Sequence, residues 1–333
     1  MTDLLQLTTR ILLSLLLSLS ALWCSLVIWY LLPVNPASVR ITGAIIWCGF
    51  AGWSVFRLWR QQSLKTLLPY TTALLVLLGG WLMVTPSHNR IWADDVAQML
   101  QSDIQGNLVT LHNVRNFDWR TETDYTVNWE TRQYDLSQLQ RVDMALSYWM
   151  GPAIAHTLVS FGFSDGRYLT FSIEIRKEQG ESFSAVGGFF KQFETSLIAA
   201  DERDILYVRT NARGEDVYLY NVNMAPADIR SLFLAYLKEA EQLRHKPRFY
   251  NTITENCTTI VFRMVQRIVQ GLPVDYRLLA SGYLPEYLYD VNGLPAGYTM
   301  EQLRTQGRIT ERALAYGNGE NFSEVIRQGI PQN

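Results

Sequence analysis

The stretch Ala155-His156-Thr157-Leu158-Val159-Ser160-Phe161-Gly162-Phe163, followed by Ser164-Asp165-Gly166-Arg167 and then Tyr168-Leu169-Thr170-Phe171-Ser172-Ile173-Glu174-Ile175-Arg176, reads as a β-hairpin. Each long run alternates in polarity and the tetrad between them is a turn signal. Thr157, Val159, Phe161 and Phe163 make the apolar face of the first strand, and Leu169, Phe171, Ile173 and Ile175 that of the second. Matching those faces puts His156, Leu158 and Ser160 on the other side with Thr170, Ser172, Glu174 and Arg176. A turn centred near Asp165 sets Glu174 across from His156, with Ser172 and Arg176 as diagonal neighbours. A carboxylate beside an imidazole fixes its tautomer and raises its basicity. The competing reading is a solvated polar face with a surface His–Glu contact.

Downstream, Pro226 suits the first turn of a helix running to about Arg244, with Ile229, Leu232, Phe233, Tyr236, Leu237 and Ala240 inward. Then comes Tyr250-Asn251-Thr252-Ile253-Thr254-Glu255-Asn256-Cys257-Thr258-Thr259-Ile260, a polar loop turning into an amphipathic helix. Ile260, Val261, Met264, Val265, Ile268 and Val269 form its apolar stripe, and Gly271 and Pro273 end it. Cys257 lies one turn before Val261, in the first helical turn, where free N–H groups and the dipole stabilise a thiolate. It is either a nucleophile or a buried structural cysteine. Asn256 either caps the helix or adds a side-chain donor to the site.

Around these pieces, residues 108–117 alternate as a strand, 118–128 read as a loop or irregular strand, and 134–139 leading to 142–149 as a strand followed by a short helix. Residues 91–100 suggest a short amphipathic helix or connector. Asp201-Glu202-Arg203-Asp204 reads as a solvated turn, and 205–209 with 216–222 as a second strand pair. The tail after Ile309 is expected to be peripheral. His88, His112 and His245 are expected in surface or packing roles.

The 333 residues carry a net charge of −2 and are 48% hydrophobic, but the first 86 are mostly apolar, with Asp3 their only acid. Three runs are long enough to cross a hydrocarbon core: about 11–32, 39–57 and 67–84. Arg57, Arg60 and Lys65 place the loop between the second and third in the cytoplasm, and the chain beyond Pro86 outside it. Cys24 and Cys48 then lie within the bilayer, leaving Cys257 as the lone thiol of an oxidising compartment. With three cysteines and four scattered histidines, the sequence has neither a disulfide framework nor a metal-ligand cluster. No cofactor is expected, and the absence of basic runs argues against nucleic acid. The expected organisation is a transmembrane region over 1–86, a connector over 87–106, an external domain over 107–295 and a C-terminal extension over 296–333.

This order of a histidine strand, a carboxylate strand and a cysteine at a helix start resembles the permuted papain-like fold, related to NlpC-type thiol enzymes. More closely, the chain resembles the Lnb N-terminal periplasmic domain family over roughly 107–294. The matching pieces are Asn113-Val114-Arg115-Asn116-Phe117 with Trp119-Arg120, His156, Ser172-Ile173-Glu174-Ile175-Arg176, Asp201-Glu202-Arg203-Asp204, and Tyr250-Asn251 with Asn256-Cys257-Thr258-Thr259. The resemblance implies an α+β fold and a Cys257–His156 active site facing the periplasm of a Gram-negative cell, anchored in its inner membrane. It also implies transfer of an acyl chain from membrane phospholipid to the amino terminus of a lipoprotein. In that family the membrane helices follow the catalytic domain, whereas here they precede it.

The residues support a thiol acyl transfer in which His156 takes the proton of Cys257, Glu174 or Ser172 orients His156, and the Cys257 N–H meets the oxyanion. Arg176 and Arg203 are candidates for anchoring a phosphate or carboxylate, or for structural ion pairs. The alternatives are a cysteine hydrolase of cell-wall or peptide substrates and a non-catalytic envelope-binding module.

Overall fold

The computed structural model describes residues 2–32 and 37–332; Pro33-Val34-Asn35-Pro36, which reads as a turn in the sequence, lies outside them. The chain forms two compact units: Met1–Ser87 with Ser184–Phe193, and His88–Phe183 with Glu194–Asn333.

The first unit holds α1 (Thr2–Leu31), α2 (Ala37–Gln61) and α3 (Leu68–Met83). Segments Leu4–Leu31, Ala37–Gln61 and Leu64–Met83 are each long and apolar enough to cross a membrane. Their serines satisfy themselves on the preceding turn, as Ser14 does by donating to the Arg10 carbonyl at 2.8 Å. Fully buried Tyr70 packs among Leu17, Ala21, Ala51 and Leu58, and its hydroxyl shares a 2.9 Å hydrogen bond with Ser20.

The second unit is α+β, built on a mostly antiparallel sheet. Its strands are β1 (Gln101–Gln105), β2 (Leu108–Arg115), β3 (Asp118–Trp119), β4 (Tyr125–Thr126), β5 (Trp129–Asp135), β6 (Leu139–Tyr148), β7 (Ala155–Phe163), β8 (Tyr168–Arg176), β9 (Glu194–Ala200) and β10 (Asp216–Asn221). The main sheet runs β1-β2-β9-β8-β7-β6-β10, with β5 on β2, and only β2 and β9 pair in parallel. The helices are α4 (Glu202–Ile205), α5 (Pro226–His245), α6 (Cys257–Gln266), α7 (Leu284–Asp290), α8 (Met300–Gly307), α9 (Thr310–Tyr316) and α10 (Phe322–Val325).

Alternation along the hairpin sends its two faces into different cores. Val159, Phe161, Leu169, Phe171 and Ile173 pack with Phe233 and Tyr236 of α5 and Ile260 and Met264 of α6. Leu158 on the opposite face joins Ala145, Ile198, Ile205, Ile309, Ala313, Phe322 and Ile326. The sheet is therefore covered on both sides, once by α5 and α6 and once by the C-terminal tail.

Several local expectations are corrected. The tail after Ile309 is integral rather than peripheral: Phe322 and Ile326 are fully buried, and Arg327 donates to Asp143 and to both carboxylate oxygens of Glu202. Asp201-Glu202-Arg203-Asp204 is no solvated turn. Buried Asp204 accepts from the Arg115 guanidinium, the Phe117 N–H and the Trp119 indole, while Asp201 caps α4 through the Arg203 N–H. Residues 205–209 do not form a strand; α4 is followed by a π-helical turn, Val208–Ala212, which turns Arg209 inward. β6 runs unbroken through Tyr148 because it pairs along its length with β7, and in 91–100 only a 3-10 turn, Asp94–Val96, forms.

Candidate active site

α6 starts at Cys257 because Asn256 caps it. Its Oδ1 accepts from the N–H groups of Thr258 (2.9 Å) and Thr259 (2.8 Å), and the Asn256 N–H donates back to the Thr259 hydroxyl at 3.0 Å. The amide Nδ2 donates to the Thr252 carbonyl at 2.8 Å. Both ends of the side chain are engaged, so the structure uses Asn256 as the cap. Upstream, Asn251 and Glu255 pair through two backbone hydrogen bonds, of 3.1 and 3.0 Å, and this tight turn folds Tyr250 back toward the helix start.

β7 and β8 part at the site. Their ladder ends at Leu158 and Ser172, whereas β7 continues on β6 to Ala155 and β8 continues on β9 to Arg176. His156 and Glu174 lie just past the last rung, and the start of α6 meets β7 there. The Thr157 N–H lies close to the Cys257 sulfur, and the hydroxyls of Thr157 and Thr258 share a 3.1 Å hydrogen bond. Cys257 is 7% exposed and His156 8%.

The polar contacts form a chain. His156 Nε2 lies 2.7 Å from the Ser172 hydroxyl and 3.1 Å from Glu174 Oε1, and Ser172 donates to that same oxygen at 2.7 Å. Arg209 donates to Glu174 Oε1 at 3.0 Å and to Glu215 at 3.2 Å. The Cys257 thiol is close enough for thiol and imidazole to influence each other's titration.

Electrostatics follow from this chain. Burial disfavours a charged ring, but Glu174, aided by the neighbouring thiol, outweighs it and lifts the His156 pKa to about 9. Burial likewise raises the Cys257 thiol, yet the His156 charge and hydrogen bond and the Thr157 N–H bring it below its ordinary value. For Glu174 burial is overcome by His156 and Arg209, which hold the carboxyl well below the usual range.

Two further groups were not recognisable as site residues in the sequence. Arg209 sits in a run that reads as a strand, with no local sign that it reaches Glu174. Tyr250 has its phenol oxygen close to the Cys257 N–H, the group expected to be open to an oxyanion. Burial, with the thiol and Glu174 nearby, keeps its proton on. Its place beside Cys257 depends on the turn between them.

Arg176 and Arg203 are not brought to the sulfur by any contact among the described residues. Arg176 donates to the Val96 (3.1 Å) and Ala97 (2.7 Å) carbonyls and stacks over Trp92, and it also meets His88. Arg203 lies 3.7 Å from Asp201. His112 pairs with Asp103 and His245 with Glu241. Among the described residues no group of His, Cys, Asp and Glu could hold a metal ion.

Residues 125–282 match the family model described as the Lnb N-terminal periplasmic domain. That span includes His156, Ser172, Glu174, Arg209, Tyr250 and Cys257. No curated protein and no solved structure matched the chain. With three apolar helices preceding this domain, the chain is a membrane-anchored protein with a periplasmic domain.

Proposed function

We propose that this protein is a membrane-anchored thiol acyltransferase of permuted papain-like fold that takes an acyl chain from phospholipid and passes it to an amine such as a lipoprotein N-terminus. The observation that supports this reading is the placing of Cys257 at a capped helix start beside His156, which Ser172 and Glu174 hold, where His156 lowers the pKa of the thiol. Buried cysteines in apolar surroundings have raised pKa values and are inert, whereas this one is lowered.

In the first step the Cys257 thiolate attacks the ester carbonyl, forming a C–S bond and placing the negative charge on oxygen. That oxygen would take the place of the Tyr250 oxygen at the Cys257 N–H and accept from the Tyr250 hydroxyl as well. With Nε2 committed to Glu174 and Ser172, Nδ1 of His156 is left to face the sulfur. The imidazolium protonates the departing alkoxide, the C–O bond breaks, and a thioester and a lysophospholipid remain. In the second step neutral His156 takes a proton from the attacking amine, the amide forms and the thiolate leaves. Membrane anchoring supports a lipid donor, since it keeps the domain near bilayer esters.

The test is transfer itself. Full-length protein is incubated with phospholipid vesicles and a peptide carrying a free amine on a lipidated N-terminal cysteine. Amide-linked acyl chain on the peptide, with lysophospholipid released, is the expected result. Free fatty acid without acylated peptide would assign a hydrolase instead. The absence of both products would overturn the acyl-transfer reading.

A further inference from the structure

The chain between β8 and β9 carries a feature that the Cys257 site does not use. Its segment Ser184–Phe193 belongs to the compact unit of the membrane helices, although it leaves and re-enters the sheet beside the strand holding Ser172 and Glu174. Buried Phe190 stacks on Tyr30, with ring centroids 5.7 Å apart, and packs on Trp23 at 6.4 Å. Lys191 Nζ donates to the carbonyls of Trp81 (2.9 Å) and Val84 (3.2 Å) and lies over the Trp81 ring. These contacts are all near the C-terminal ends of α1 and α3, the ends away from Arg57, Arg60 and Lys65. Trp23, Tyr30 and Trp81 are the side-chain types that gather where a membrane meets water.

The segment has a fixed local shape. The Gly187 N–H donates to the Ser184 hydroxyl, and the N–H groups of Phe189 and Phe190 donate to the carbonyls of Val186 and Gly187. A Cβ on Gly187 would lie 1.9 Å from the Gln192 side-chain oxygen and 3.2 Å from the Ser184 Cβ, so a larger residue there would displace the Gln192 side chain. It seats Phe190 inward and leaves Val186 44% and Phe189 40% exposed.

We propose that Ser184–Phe193 is an interfacial lipid-binding segment whose Val186 and Phe189 side chains enter the outer leaflet among the upper parts of the acyl chains. The occupant follows from the neighbours: rings at the span ends set the depth, and apolar side chains exposed at that depth meet lipid. Phe183, bonded to Ser184, meets Trp149 edge to face at 5.9 Å, and the exposed Trp149 and Ile154 lie on the loop that leads into His156. The bearing on catalysis, which rests on the acyl-transfer reading, is that this segment holds the chain on the lipid surface that supplies the acyl donor.

The test places the photo-crosslinker benzoylphenylalanine at Phe189 in the full-length protein in phospholipid nanodiscs. Leu75, 65% exposed on α3, is the lipid-facing control and Glu122 the water-facing one. Covalent phospholipid at position 189 approaching the yield at Leu75 is expected. A yield no higher than at Glu122, or crosslinks to protein alone, would overturn the proposal. In a second arm, the double variant Val186→Ser/Phe189→Ser should acylate Cys257 from vesicle lipid roughly tenfold more slowly, with unchanged iodoacetamide alkylation. Unchanged acylation from vesicles would refute the catalytic role. Lipid crosslinking without acylation in any variant would sink the acyl-transfer reading and leave the lipid-binding segment standing.

Discussion

Glu174 Oε1 stands 3.1 Å from His156 Nε2, just beyond the rung where β7 and β8 stop pairing. Within a continuous ladder both side chains would lie flat on one face of the sheet. Here the strands have parted, and the pair reaches the start of α6 and the Cys257 thiol.

Glu174→Gln removes the charge that lifts His156, so the ring's pKa falls from about 9 toward its ordinary 6.5. At pH 7.5 the imidazolium is then largely lost, and the thiol rises with it. The direct repulsion between Glu174 and the thiolate acts the other way but is the smaller influence. Iodoacetamide alkylation of Cys257 should slow roughly tenfold, with its midpoint moved to higher pH. An unmoved profile would show that Glu174 does not govern the pair. The same carboxylate makes a stability prediction. Its folded pKa is depressed, so its contribution is full above about pH 4.5, the ordinary value, and is lost as pH falls through the folded value. The melting-temperature advantage of wild type over Glu174→Gln should shrink below pH 4.5.

Tyr250→Phe keeps the ring and deletes the hydroxyl close to the Cys257 N–H. If that hydroxyl serves the oxyanion, acyl transfer should fall roughly a hundredfold while iodoacetamide alkylation stays within a fewfold. A parallel loss of both rates would assign Tyr250 to thiol activation instead.

Arg209→Gln leaves Glu174 and Glu215 without their shared cation in a buried setting. Removing one partner of such a group costs about 3 kcal/mol, read as a lower midpoint in denaturant unfolding. An unchanged midpoint would mean that solvent already screens these carboxylates.

Arg327→Ala takes away the arginine paired with fully buried Glu202 and one of the two paired with fully buried Asp143, which keeps Arg141. A loss of about 3–5 kcal/mol is expected, together with protease sensitivity of the C-terminal tail. Retained stability would return the tail to the peripheral status that its sequence suggests.

The hairpin was legible because period-2 alternation and a turn signal determine which residues face each other. The helix start was legible because a 3.6-residue stripe follows a capping residue. Other parts depend on partners far along the chain. Asp204 reads as a solvated charge until Arg115, 89 residues away, is seen to clasp it. Glu202 needs Arg327, 125 residues away. β9 escapes notice because Glu194–Ala200 is buried on both faces, so its polarity does not alternate. Arg209 and the oxygen of Tyr250 enter the site only through folds in the backbone that local patterning does not encode.

The most direct test concerns Cys257 as the nucleophile. Full-length protein is incubated with phospholipid vesicles, quenched in acid and mapped by mass spectrometry. An acyl group released by hydroxylamine should appear on the peptide containing Cys257, be absent in Cys257→Ser and be strongly reduced in His156→Ala. An unmodified Cys257 peptide in wild type, or an equal adduct in the serine variant, would contradict a thiol mechanism.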